Sequence, residues 1–287
     1  MIFASRKYTN RDVGALHPRP LCSPQILSGS NQVMALNWIP ATVVRKTIWA
    51  HGLFTLAVRA PGVQTFEAGQ FLQLGFATAE KHLHRPYSVA SPHGEILEFF
   101  IVLVEQGEVT PRLWGLKVGD HVDVSEKAAG SFTLSHTPPG CDLWLIATGT
   151  GIAPYIAMLR TELPWQRYQN IILVHGVRHP SDLAYQAELE ELQRTYNHRF
   201  QYLGVISRLP TPPEGHANKL LSGRITDCYS SGKLEESVHL KLSPESSIVM
   251  LCGNPVMLDE MEQLLAQRGL NRHKSKQPGH VVVERYW

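Results

Sequence analysis

The stretch Leu143–Pro154 restricts the fold more than any other part of the chain. Leu143–Ala147 is short and continuously apolar, a pattern that fits a strand buried on both faces. It runs into Thr148-Gly149-Thr150-Gly151, and Pro154 follows just inside what reads as a helix reaching about Leu163. The same alternation continues downstream. Ile171–Val174, Phe200–Ile206, Ser247–Cys252 and Val281–Glu284 are further apolar runs. Between them, helices are expected over Ala184–Tyr196, capped by Asp182, and from Pro255 to about Arg268. Residues 137–287 are therefore expected to form an α/β domain around a five-stranded parallel sheet covered on both faces.

Residues 34–136 follow a different rule. Ala41–Lys46, Leu53–Arg59, Gln70–Phe76, Tyr87–Ala90, Leu97–Val104 and His121–Val124 are short β-like runs of only partial alternation. His51-Gly52, Pro61-Gly62, Ala68-Gly69 and Gly119-Asp120 punctuate them as turns. This spacing reads as a small antiparallel barrel or sandwich, and a barrel is the expected form. One short helix fits Thr110–Leu116, with Thr110 as N-cap and Pro111 at its first position.

The first 33 residues carry Arg6, Lys7, Arg11 and Arg19 against the single acid Asp12, three prolines and no sustained periodicity. They are expected to be a disordered extension that the globular part can do without. A net charge of +2 argues against nucleic-acid binding, and no apolar run is long enough for membrane insertion. Cys22, Cys141, Cys228 and Cys252 are scattered, which fits neither a disulfide framework nor an iron–sulfur cluster. No metal site is expected, and a cytoplasmic setting is the natural reading.

Loops that follow the strands of a parallel sheet carry its chemistry. Thr148–Gly151 and Cys252-Gly253-Asn254-Pro255 both fall there, as do Arg178, Ser207 and Arg208, with Arg224 within reach. No acid follows the second strand to hold a ribose 2′-hydroxyl, and three arginines with a serine favour a 2′-phosphate, hence NADP over NAD. In the barrel, Arg85-Pro86-Tyr87-Ser88 offers a guanidinium fork for a pyrophosphate, a flat ring for an isoalloxazine and a hydroxyl for a ring nitrogen. Gly107–Thr110 is a second candidate phosphate site.

In these motifs, with Ala129-Gly130-Ser131-Phe132, Cys252–Met257 and the terminal Trp287, the chain resembles the bacterial type of the ferredoxin/flavodoxin–NADP+ reductase family from about Met34 onward. The resemblance implies FAD held by Arg85, Pro86, Tyr87, Ser88, Phe100, Glu108, Val109, Thr110 and Thr150, with Trp287 covering the isoalloxazine. It implies NADP held by Gly149, Gly151, Arg178, Ser207, Arg208, Arg224, Cys252, Gly253 and Glu260. Ser88, Cys252, Trp287 and Glu260 take the catalytic roles. The position at which plant-type members are expected to carry a glutamate is Leu258 here, and Glu260 stands two residues further on.

The expected activity is electron exchange between NADPH and a separate ferredoxin or flavodoxin through FAD, by a monomeric enzyme. The rival readings are a general NAD(P)H-dependent flavin or ferric reductase on the same fold, the electron-transfer subunit of a larger complex, and a flavin-binding regulatory module.

Overall fold

Strand β1, Trp38–Ala50, shows how the first domain closes. It pairs antiparallel with β6, His121–Ser125, through Trp38–Thr42, and with β2, Leu53–Arg59, through Thr42–Ala50. Register shifts at Val43/Arg45 and Ile48/Ala50 bend the strand from one neighbour to the other, as curved sheets require. The computed structural model describes residues 36–208 and 219–285. The expected extension and the terminal Trp287 lie outside the described residues.

With β3, Phe71–Ala77, β4, His82–Ser88, and β5, Ile96–Val102, the sheet order is β4-β3-β6-β1-β2-β5. The edge strands meet through a Val89↔Phe99 bridge and a 2.7 Å bond from the Ala90 amide to the Glu98 carbonyl, which closes the barrel. Phe54, Leu56, Leu74, Phe99 and Val124 fill its core. β4 begins five residues before the β-like run expected at Tyr87. Pro86 is tolerated because β4 lies at a sheet edge. The short helix α1, Thr110–Gly115, is present, but Thr110 does not cap it. Its hydroxyl is engaged by Val104 N, at 2.9 Å, and Val104 O, at 3.1 Å.

The second domain opens with β7, Asp142–Thr148, which leads through a 3-10 turn at Gly149–Ile152 into α2, Ala153–Leu159, and then α3, Leu163–Arg167. β8, Asn170–Val177, precedes α4, Gln186–Tyr196. Asp182 does not cap α4; it closes a short 3-10 turn with His179, and Tyr185 takes the cap position in a left-handed conformation. β9, Phe200–Ile206, and β10, Lys219–Ser222, follow, then α5, Ile225–Ser230, and α6, Lys233–Val238. β11, Ser247–Gly253, α7, Pro255–Gln267, and β12, Val281–Arg285, complete the described chain.

Among the described residues the sheet has six strands rather than five, in the order β10-β9-β8-β7-β11-β12. The added strand, β10, is a four-residue edge strand running parallel to β9. The chain steps outward from β7 to β10 and then returns to the other side of β7 with β11. The switch point is therefore at the carboxyl ends of β7 and β11.

The partial alternation in β2 and β5 also has its cause here. Leu97, Phe99 and Ile101 face the barrel core, whereas Leu53, Ala90 and Phe100 belong to a second core with Tyr155, Tyr185 and Leu189. The outer face of the barrel is the inner face of the domain interface. The opposite face of the parallel sheet is covered by α5, α6 and α7 through Cys228, Leu234, Leu258 and Met261.

Candidate functional site

A cavity of about 520 Å³ lies where the two domains meet. One wall is β4, contributing Arg85, Pro86, Tyr87 and Ser88. A second is β5 and the loop after it, with Phe100, Val102, Val104, Glu108, Val109 and Thr110. Thr150 and Ala153 come from the α/β domain, and Glu284 and Arg285 from the end of β12. All the expected flavin contacts among the described residues are thus brought together.

Their environments differ. Arg85 is exposed, donates 2.8 Å to the His84 carbonyl, and stands 3.9 Å from Glu108, which Lys81 also approaches at 3.3 Å. The Tyr87 ring is half-buried and its hydroxyl is buried without a partner; burial pushes its ionisation up to about 12. A neutral hydroxyl buried without a hydrogen bond is costly. A polar group of a bound molecule would satisfy it, so this wall fits the flavin-type group expected from the sequence.

Ser88 is buried, and its hydroxyl donates 3.3 Å to Oε2 of Glu284. Burial raises the Glu284 carboxyl from 4.5 to about 7, against the lowering effect of the Ser88 bond. The acid facing Ser88 is therefore on β12. Glu260 lies on α7, partly buried, outside the cavity lining. Glu284 ends an apolar run at the carboxyl edge of a parallel sheet. Its place opposite Cys252 in the β11–β12 register is the signal that points to it.

Cys252 is fully buried at the end of β11, beneath the two loops at the switch point. Those loops interlock. A Cβ on Gly151 would lie 2.6 Å from the Cys252 carbonyl oxygen, and one on Gly253, at φ +132°, would lie 2.2 Å from Thr148 Oγ1. Thr148 Oγ1 also accepts the Asn254 amide at 2.8 Å, and the Asn254 side chain caps α7. The required glycines have a structural cause in this packing as well as a place beside the site. His175 lies under the same loop, 2.9 Å from the Gly149 carbonyl. Complete burial pushes its ionisation down to about 4, so the neutral ring donates that bond.

Arg178, Ser207 and Arg208 are exposed at the ends of β8 and β9, and Arg224 follows β10. Backbone bonds hold the first three together: Ser207 N to Val177 O at 2.9 Å and Arg208 N to Arg178 O at 3.0 Å. None of the three arginines forms an ion pair among the described residues. The three exposed guanidinium groups make this edge positively charged.

An antiparallel barrel and a parallel sheet that share a cavity at the switch point define a two-domain, ferredoxin reductase-like oxidoreductase. The model of the oxidoreductase FAD-binding domain matches residues 40–132, and that of the oxidoreductase NAD-binding domain matches residues 145–263. The chain is 40% identical over 253 residues to the flavodoxin/ferredoxin–NADP reductase of Escherichia coli K12, covering 88% of this chain and 99% of that one. It is 37% identical to the protein of that name from Buchnera aphidicola subsp. Baizongia pistaciae, over 87% of this chain and 99% of the relative. A crystal structure of a ferredoxin NADP+ reductase from Neisseria gonorrhoeae with bound FAD and NADP superposes with a TM-score of 0.79 at 31% identity, covering 86% and 98% of the two chains. The chain belongs to the flavodoxin/ferredoxin–NADP reductase family.

Proposed function

We propose that this chain exchanges electrons between NADPH and a small ferredoxin or flavodoxin, with FAD and NADP as its cofactors. The observation that carries the reading is the shared cavity, in which the Ser88–Glu284 pair from two domains faces the space between Tyr87 and Thr150. When bound, the cofactors supply hydride exchange with each other and single electrons to the carrier.

The protein supplies binding, orientation and a place for a proton. Arg85 offers its fork to a phosphate, and Tyr87 offers a ring face and an unsatisfied hydroxyl. Ser88 Oγ donates to Glu284 Oε2, and burial raises the Glu284 carboxyl to about 7, so this carboxyl is the group that can hold a proton inside the cavity near neutral pH. Thr150 and Ala153 wall the cavity on the side of the α/β domain and limit water there. Arg178, Arg208 and Arg224 select the phosphorylated coenzyme. Cys252 supports the Gly253 turn from below, and Glu260 is on α7, the helix that follows that turn.

The test is stopped-flow reduction of the bound flavin by NADPH and by NADH, followed by turnover with one ferredoxin and one flavodoxin. Rapid reduction by NADPH, slow reduction by NADH and carrier-dependent turnover are expected. Reduction without turnover on either carrier would leave a general flavin reductase. No reduction would overturn the proposal.

A further inference from the structure

Arg160 stands at the C-cap of α2, away from the cavity, and makes four hydrogen bonds. Nε and Nη2 fork onto Glu188 of α4 at 2.7 and 2.8 Å. Nη1 crosses the domain interface to the Ala90 carbonyl, at 2.9 Å, and to Oε2 of Glu98, at 2.8 Å. The other oxygen of Glu98 accepts from Arg45, so the cluster holds two arginines and two glutamates in balance. Glu98 is buried, and the Arg160 side chain is only 26% exposed. An exposed ion pair contributes little, but a bidentate, partly desolvated arginine with a carbonyl as third acceptor restricts geometry.

What Arg160 holds is specific. Ala90 lies two residues beyond Ser88, and Glu98 lies two residues before Phe100. Ser88 and Phe100 both line the cavity. In β5 two residues of strand span about 6.6 Å, so the grip on Glu98 is one side-chain repeat from Phe100, and the grip on Ala90 falls just past the end of β4. At the other end of α2, Thr150 and Ala153 line the same cavity. One guanidinium therefore joins the three segments whose relative placement determines how the two cofactor sites face each other.

We infer that Arg160 is a positioning residue for electron transfer between the cofactors: it sets the α2 end of the α/β domain against the barrel strands that carry Ser88 and Phe100. The inference rests on the proposed NADPH-to-flavin activity. Misplacement of reacting groups by a fraction of an ångström lowers rate while leaving each binding site intact.

The experiment compares wild type, Arg160→Gln, Arg160→Lys and Arg268→Gln as holoenzymes. Arg268 is the matched control. It forks onto Glu235 at 2.9 and 3.0 Å and bonds the Leu242 carbonyl, all within the α/β domain. Reduction of the wild-type flavin by NADPH comes first, because its absence would refute the activity and not the role of Arg160. Arg160→Gln is expected to slow flavin reduction by about ten- to a hundredfold, with FAD affinity and the dissociation constant for NADP+ within about twofold. Arg160→Lys, which keeps the charge without the fork, should fall between. Amide exchange in the apoproteins is the second readout. Ala90, whose amide bonds the Glu98 carbonyl, should exchange faster in Arg160→Gln and not in Arg268→Gln. If Arg160→Gln does not fold, Arg160→Lys is judged by the same two readouts. A reduction rate within twofold of the Arg268→Gln control would overturn the inference, as would equal losses of rate and of FAD affinity.

Discussion

At the scale of single residues, Glu284 gives a sharp pH signature. Its carboxyl titrates at about 7 in the folded protein against an ordinary 4.5, so between these values the folded chain binds the extra proton. Stability from this group is fully present below pH 4.5 and is lost as pH rises through about 7. Glu284→Gln keeps an acceptor for Ser88 but cannot charge. In the apoprotein, the variant's melting temperature should match wild type near pH 4.5 and exceed it increasingly up to about pH 7, then hold a constant lead. A pH-independent difference would show that Glu284 is not the group responsible. A second prediction concerns Gly253. Alanine there meets both a φ of +132° and an oxygen at 2.2 Å, whereas Gly149, at φ +53°, has nothing within 4 Å of its built Cβ. Gly149→Ala should cost about 1 kcal/mol and Gly253→Ala about 3 kcal/mol or more, by denaturant midpoint. Equal costs would mean that the two loops do not interlock in solution. Arg85, Tyr87 and Ser88 were legible because they are neighbours in the chain. Glu284 was not, because its partner Ser88 is 196 residues away and only the fold brings them together.

At the scale of elements, sequence reading succeeded where one force dominates. β2 was expected at Leu53–Arg59 and forms there, since β-forming residues fill it between clear turns. β4 was misplaced because His82, His84, Arg85 and Pro86 are poor strand formers, held by pairing with β3 rather than by propensity. β10 went unread because its four residues carry too short a pattern, and its place on the sheet edge comes from β9. Arg178, Arg208 and Arg224 follow β8, β9 and β10 at that end of the sheet, and the proposed role in coenzyme choice is testable there. Changing Arg178, Arg208 or Arg224 to Gln should raise the KM for NADPH by about tenfold and leave that for NADH nearly unchanged. The loss should shrink at high salt, because exposed charges are screened. Parallel losses with both coenzymes would return these arginines to a structural role. The effects need not add, as all three would face one anion.

At the scale of the whole molecule, the plan of an antiparallel sheet followed by a parallel one was legible from short strands with Gly/Pro turns giving way to apolar strands alternating with helices, while the interface was not. Leu53, Ala90 and Phe100 look like ordinary strand residues, and nothing local says that a second domain covers them. Their burial has a consequence for how the protein is made. The barrel leaves the ribosome first, but Tyr155, Tyr185 and Leu189, which cover its outer face, follow roughly one to ten seconds later at ordinary rates of synthesis. For that interval the nascent chain presents a sticky apolar wall to its surroundings. A fragment of residues 36–136 should therefore bind a hydrophobic dye strongly and associate with itself, where the chain from residue 36 to the end does neither. Newborn molecules of this enzyme would depend on chaperones during that window in a way that the finished enzyme does not.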